Sequence, residues 1–248
     1  MRYPFLEHNQ LILIDYLPGS SGQLLMRLWY ELDHKMAYDN PCIMSDRGIT
    51  DHPASREIDW DVIIPKRLTN WFLDRCEPQS TDDYLQYFEF LGTAMMALKQ
   101  PWIRGDQGPK FYEHRHWQLQ DQRLLHGIHT QDHEMPWADM RARAPGLRAI
   151  KLVPQTERGL RYQLMRWELC YPKTRRKIPL SHTIGLFNSQ DDHSERFDLC
   201  TALVDRDTDS IVAWLTAQLG TDLRTHKLDQ VREMLQEYYS AILDHMDV

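Results

Sequence analysis

Cysteine is scarce in this chain: Cys42, Cys76, Cys170 and Cys200 are widely spaced, and no two form a CxxC pair. That pattern is expected of free thiols in a reducing cytosol, and a cytoplasmic location follows from it. Long apolar runs are missing too. None approaches a membrane span, and the opening Met1-Arg2-Tyr3-Pro4 lacks the apolar core of a secretory leader, so no membrane partner is expected. Excess positive charge is also absent. A net charge of −7 argues against broad nucleic-acid binding while leaving room for a local basic pocket. No repeat, low-complexity tract or linker divides the chain, so residues 1–248 are expected to form a single domain with ample material for a core. What is present is ordinary globular composition, 42% apolar and 26% charged, rather than the signature of disorder. Eight Trp and eleven Tyr are many for this length; most should be core, and some are candidates to line an aromatic or apolar acceptor pocket.

The chain is organised around residues 11–29. Leu11-Ile12-Leu13-Ile14 is a continuous apolar run, as in a strand buried on both faces. Pro18-Gly19-Ser20-Ser21-Gly22 then turns into a helical pattern with Leu24, Leu25, Leu28 and Leu32 on one side. A buried strand, a Gly/Ser loop and a helix N-terminus together make a nest of backbone N–H groups able to cradle a phosphate. The small residues let the backbone approach the anion. The plainer alternative is a tight strand-to-helix turn with no ligand. A nucleoside-triphosphatase loop ends in Gly-Lys-Ser/Thr, whereas Gln23 and Leu24 follow Gly22 here. Triphosphate hydrolysis and kinase chemistry thus lose their two most diagnostic groups.

Ser21-Gly22 followed by a Leu-rich helix resembles the 5′-phosphosulfate loop of the sulfotransferases, in which Ser-Gly-Thr-Thr follows a buried strand. Gln23-Leu24 stands where that family has its Thr pair, and Ser20 stands where it has its catalytic Lys or Arg. The resemblance implies a three-layer α/β fold with a mainly parallel central sheet of P-loop architecture. It implies a donor, 3′-phosphoadenosine 5′-phosphosulfate, a product, 3′,5′-adenosine bisphosphate, and a small-molecule or peptide acceptor with a hydroxyl or amine. It also implies that Gly19, Ser20, Ser21, Gly22, Gln23 and Leu24 hold the 5′-phosphate without a metal.

Two further stretches bear on a site. Arg123-Leu124-Leu125-His126-Gly127-Ile128-His129 is a short apolar run leading into His129, Thr130 and His133. Side chains at the C-terminal end of a parallel strand point into the crevice where α/β proteins bind ligands, and histidine accepts a proton near neutral pH. The family's Lys-Thr-His-type strand makes Ile128-His129-Thr130 a loose counterpart, with His129 as the base and His126 and His133 as alternatives. Three histidines also raise zinc, but residues 126 and 129 of a strand face opposite ways and no Cys or Glu has ligand spacing, so no metal is expected. Gly146–Trp167 is another strand, turn and helix. Against the family's 3′-phosphate segment, Gln155 falls at the Arg position and Gln163 at the Ser position. Arg158 and Arg161 are the nearest cations, unless they simply form a solvated face.

The remaining chain reads as scaffold. Residues 1–10 read as an irregular lead-in, residues 36–60 as surface loops, Val62–Pro65 as a short strand, and Leu68–Leu73 as part of a helix. Ser80 and Asp83 form a capping box for a helix through Leu98, and residues 100–118 read as an aromatic-rich connection. The basic cluster Lys173–Lys177 lies in a loop-like stretch over residues 172–196. Phe197–Leu203 reads as the last strand, Asp207 caps a helix that Gly220 ends, and Lys227–Leu243 forms the closing helix. Two other functions stay open. One is a P-loop kinase or other group transferase with a different phosphate donor; the other is a degenerate, non-catalytic binding module.

Overall fold

The computed structural model describes residues 3–17, 19–35, 72, 76, 78–98, 121–128, 135–170, 184–185 and 195–246. The strand read at 62–65 and the connection at 100–118 lie outside these residues, as does the helix read at 68–73 apart from Phe72. Four strands, β1 (Gln10–Asp15), β2 (Arg123–Ile128), β3 (Leu147–Leu152) and β4 (Glu195–Phe197), make one parallel sheet in the order β2-β1-β3-β4. The helices are α1 (Pro4–His8), α2 (Gly22–Leu32), α3 (Thr81–Leu98), α4 (Trp137–Arg143), α5 (Glu157–Cys170), α6 (Leu199–Val204), α7 (Thr208–Leu219) and α8 (Leu228–Ile242).

Strand alternation divides the core in two. Ile12, Ile14, Leu125, Ile150 and Leu152 face one side and pack with α2, α6, α7 and α8. Leu11, Leu13, Leu124, Ile128, Leu147 and Ala149 face the other and pack with α1, α3 and α4. With helices on both sides of a parallel sheet, the fold is α/β in three layers. A fully buried Leu or Ile contributes about 1.5–3 kcal/mol, and every apolar residue of β1 is inaccessible to solvent. Among the described residues no helix is long and apolar enough to cross a membrane.

Local signals govern several boundaries. The Asp83 carboxylate accepts from the Ser80 N–H and hydroxyl, both at 2.9 Å, and the Ser80 hydroxyl accepts from the Asp83 N–H at 3.3 Å. Asp207 accepts from the Ser210 N–H at 3.0 Å to start α7, which ends at Gly220 with φ +53°. Two readings need correction. The lead-in is not irregular: Pro4 opens α1, whose Phe5 and Leu6 N–H groups donate to the Glu89 carboxylate at 2.6 and 3.0 Å. The last strand is Glu195–Phe197, not Phe197–Leu203. Asp198 accepts from the Thr201 N–H at 2.9 Å and turns Leu199–Val204 into a helix.

Candidate functional site

The sheet order creates a switch point. From β1 the chain goes to β2 on one side, and from β3 it goes to β4 on the other, so the adjacent strands β1 and β3 feed connections that diverge. In open α/β sheets the crevice outside the carboxyl ends of such a pair is where ligands bind. The Gly/Ser loop lies there, between the end of β1 at Asp15 and the start of α2 at Gly22.

The loop is bent by two left-handed residues, Gly19 (φ +86°) and Ser21 (φ +57°). A Cβ on Gly19 would lie 2.3 Å from the Gln163 carbonyl oxygen and 2.9 Å from the Trp167 nitrogen, so glycine is required for the loop to seat against α5. Ser21 is the N-cap of α2, yet its side chain does not cap. Its hydroxyl meets the phenols of Tyr162 on α5 at 2.7 Å and Tyr238 on α8 at 2.9 Å, and those two phenols also bond each other. Three hydroxyls in a closed triangle can each donate once and accept once. Ser20 accepts from the Gln163 side-chain amide, and the Cys200 thiol is hydrogen-bonded to Ser20 as well.

These groups sit away from water. Ser20, Tyr162 and Gln163 are fully buried. Burial pushes the Tyr162 phenol well above its ordinary pKa, and Tyr238 adds to the rise, while the positive charge of Arg166 and the Ser21 hydrogen bond work against it. Burial likewise pushes the Cys200 thiol up, so it stays neutral. The serine hydroxyls therefore look into the protein. Residues 19–22 are themselves buried and the Ser20 N–H donates to the Leu17 carbonyl at 3.1 Å, so what remains for an anion is the start of a helix without a side-chain cap, with its dipole.

The anticipated residues separate into those brought together and those held apart. Gly19, Ser20, Ser21, Gly22 and Gln163 meet at the loop. Gln155 is exposed, and its backbone N–H donates to the Asp198 carboxylate at 2.7 Å. Arg158 is also exposed and pairs with Asp205 at 2.5 Å. Gln23 is half-buried and Leu24 is core. His129 and His133 lie outside the described residues, and His126 is buried in β2. Among the described residues no group of three His, Cys, Asp or Glu is placed to hold a metal ion.

Sequence reasoning passed over several residues here. Tyr238 lies on the apolar side of the closing helix and reads as core, and Tyr162 and Arg166, one turn apart in α5, carry no local signal of a site. Asp15 and Lys151 are register partners at the ends of β1 and β3, 1% and 0% exposed. Their signal was available, since each is a charge within or closing an apolar strand run. Neither a family model, nor a curated protein, nor a solved structure matches the chain.

Proposed function

We propose that this chain is a sulfotransferase-like transferase of P-loop architecture that binds the phosphate of a nucleotide donor on residues 19–23. The observation that supports the reading most is the position of the loop, an uncapped helix start outside the switch point of a parallel sheet. The donor, 3′-phosphoadenosine 5′-phosphosulfate, supplies the sulfuryl group, and the product is 3′,5′-adenosine bisphosphate. The Ser20 N–H donates to the Leu17 carbonyl at 3.1 Å, so in this reading the other amides of residues 19–23 hold the 5′-phosphate. For the 3′-phosphate the fit is poorer, because Gln163 is fully buried against Ser20 and Arg158 is engaged with Asp205. His129 takes the proton from the acceptor hydroxyl or amine as the new bond to sulfur forms. In-line transfer of this kind depends on positioning and charge neutralisation more than on covalent chemistry by the protein.

One observation favours a second reading, that of a non-catalytic binding module: both serine hydroxyls of the loop are spent inside the protein. Calorimetry with 3′,5′-adenosine bisphosphate separates the two. The useful variant is Gln23→Glu. A carboxylate in the first turn of α2 suits the helix dipole, so the fold is kept, while it repels an anion at the loop. Bisphosphate binding that falls about tenfold or more in Gln23→Glu supports the transferase reading. Absence of binding by the folded wild-type protein removes it and leaves the module.

A further inference from the structure

A serine at the N-cap of a helix ordinarily keeps its own backbone extended and accepts from a backbone N–H in the first turn. Ser21, the N-cap of α2, does neither. Its backbone is left-handed, at φ +57° and ψ +31°, and its side chain makes no bond to the helix. The hydroxyl is taken instead by Tyr162 of α5 at 2.7 Å and Tyr238 of α8 at 2.9 Å, and the two phenols also bond each other. A non-glycine residue in this backbone region persists only where its surroundings over-determine it, and such positions gather at clamps and switches. Here the surroundings are explicit. Tyr162 and Tyr238 are 0% and 1% exposed, so both phenols lose a buried partner if Ser21 turns away. On either side the loop is seated by close backbone approach, not by hydroxyls. A Cβ on Gly19 would strike the backbone of α5, and one on Gly22 would lie 2.4 Å from the Tyr16 ring. Between these two seats, the local preference of a capping serine and its long-range bonds pull Ser21 toward different conformations.

We propose that the turn at Ser20–Ser21 is a two-position device whose lock is the pair of phenols. In the clasped position, the one in this structure, Tyr162 and Tyr238 hold Ser21 left-handed. In the capped position Ser21 is extended, and its hydroxyl accepts from the N–H of Gln23 or Leu24 in the first turn of α2. The hydroxyl is hydrogen-bonded in both. The balance lies between two phenol bonds on one side and a helix cap with a relaxed backbone on the other. The device places the loop under the control of α8, through a contact that spans 217 residues of sequence. Whatever moves Tyr238 frees the turn, and whatever holds one position of the turn better is felt at α8. It operates whether or not the loop takes a nucleotide.

The test is NMR of the full chain without ligand, for wild type, the double variant Tyr162→Phe/Tyr238→Phe, and Ser21→Ala. The α- and β-carbon chemical shifts at position 21 tell a left-handed backbone from an extended one, and amide hydrogen exchange at Gln23 and Leu24 reads the cap. Phenylalanine keeps the rings and their packing and removes only the two phenol hydroxyls. Wild type is expected to be left-handed at Ser21. In the double variant the extended fraction should rise at least about tenfold, with slower exchange than wild type at Gln23 or Leu24. Ser21→Ala has no hydroxyl to offer the helix and should stay left-handed. A double variant still left-handed at Ser21 overturns the proposal, and so does exchange that slows at neither amide. An extended backbone at position 21 in Ser21→Ala overturns it as well, because strain alone would then move the turn without a cap. Should the double variant fail to fold, Tyr238→Phe alone takes its place. Ser21 then keeps one phenol, and its shifts must still move toward the extended values; unchanged shifts overturn the assignment of α8 as the lock.

Discussion

At the scale of single residues, Ser21 joins two demands that usually fall to different positions. Its backbone is left-handed, at φ +57° and ψ +31°, which costs a non-glycine residue about 1–2 kcal/mol. Its hydroxyl closes the triangle with Tyr162 and Tyr238. The two contributions can be separated. Ser21→Ala and Ser21→Gly both lose the hydroxyl, whose buried partners make each loss worth about 1–3 kcal/mol. Only glycine relieves the backbone, so Ser21→Gly should be the more stable of the two by about 1 kcal/mol in urea denaturation. A Ser21→Ala protein as stable as Ser21→Gly would mean that the backbone is not held left-handed in solution.

Among the elements, Asp198 does the most with one carboxylate. One oxygen caps α6 through the Thr201 N–H at 2.9 Å, and the other accepts from the Gln155 N–H at 2.7 Å, tying the turn after β3 to the start of α6. Asp198→Ala should lose about 1–2 kcal/mol in denaturation, the upper part of the range for an N-cap because two N–H donors are orphaned. The same residue explains what was legible. The Ser80–Asp83 box, the Asp207 cap and Gly220 are local signals, and the chain follows them. Phe197–Leu203 is an apolar run that suits strand or helix equally, and the cap at Asp198 decides it. Helix α1 is harder still, because the carboxylate that satisfies its N-terminus is Glu89, 84 residues from Phe5. The loop could be read because glycine and serine advertise a turn. Its supports could not, since nothing near Tyr162 or Tyr238 says that either phenol meets a serine in the first strand-to-helix turn.

Across the whole molecule, the N-terminal end of the edge strand β2 is pinned by charge. Arg123, the first residue of β2, bonds Asp33 at the end of α2 at 2.5 Å and Asp222 beyond α7 at 3.0 Å, with side-chain exposures of 6%, 0% and 15%. The Trp29 indole N–H and the Lys35 backbone N–H also donate to Asp33, at 3.0 and 2.9 Å. Arg123→Met would strand the Asp33 carboxylate in the interior, a change worth about 3–5 kcal/mol in chemical denaturation. The cluster also has a pH signature. Burial alone would raise the Asp222 carboxyl, but the Arg123 hydrogen bond and the charges of Lys35 and Arg123 outweigh it and hold its pKa below the ordinary value. A depressed pKa stabilises the folded state fully above the unfolded value near about 3.9, and that contribution disappears as pH falls through the folded value. The acid limb of stability should therefore be shallower in Asp222→Asn than in wild type, with no difference in slope near neutrality.

The hydroxyl triangle has a consequence in time as well as in space. Ser21 and Tyr238 are 217 residues apart, and Ser21 and Tyr162 are 141 apart. On the ribosome the loop is therefore made early and stays without its clasp until α8 has emerged. β1 waits in the same way, because its neighbours β2 and β3 are drawn from residues 123–152. The loop is thus among the first parts synthesised and among the last to be fixed, while β1 waits only until β3 is made. Until β2 and β3 emerge, the apolar run Leu11–Ile14 lacks the strands that flank it in the folded sheet, and exposed strand edges of this kind favour aggregation of a nascent chain.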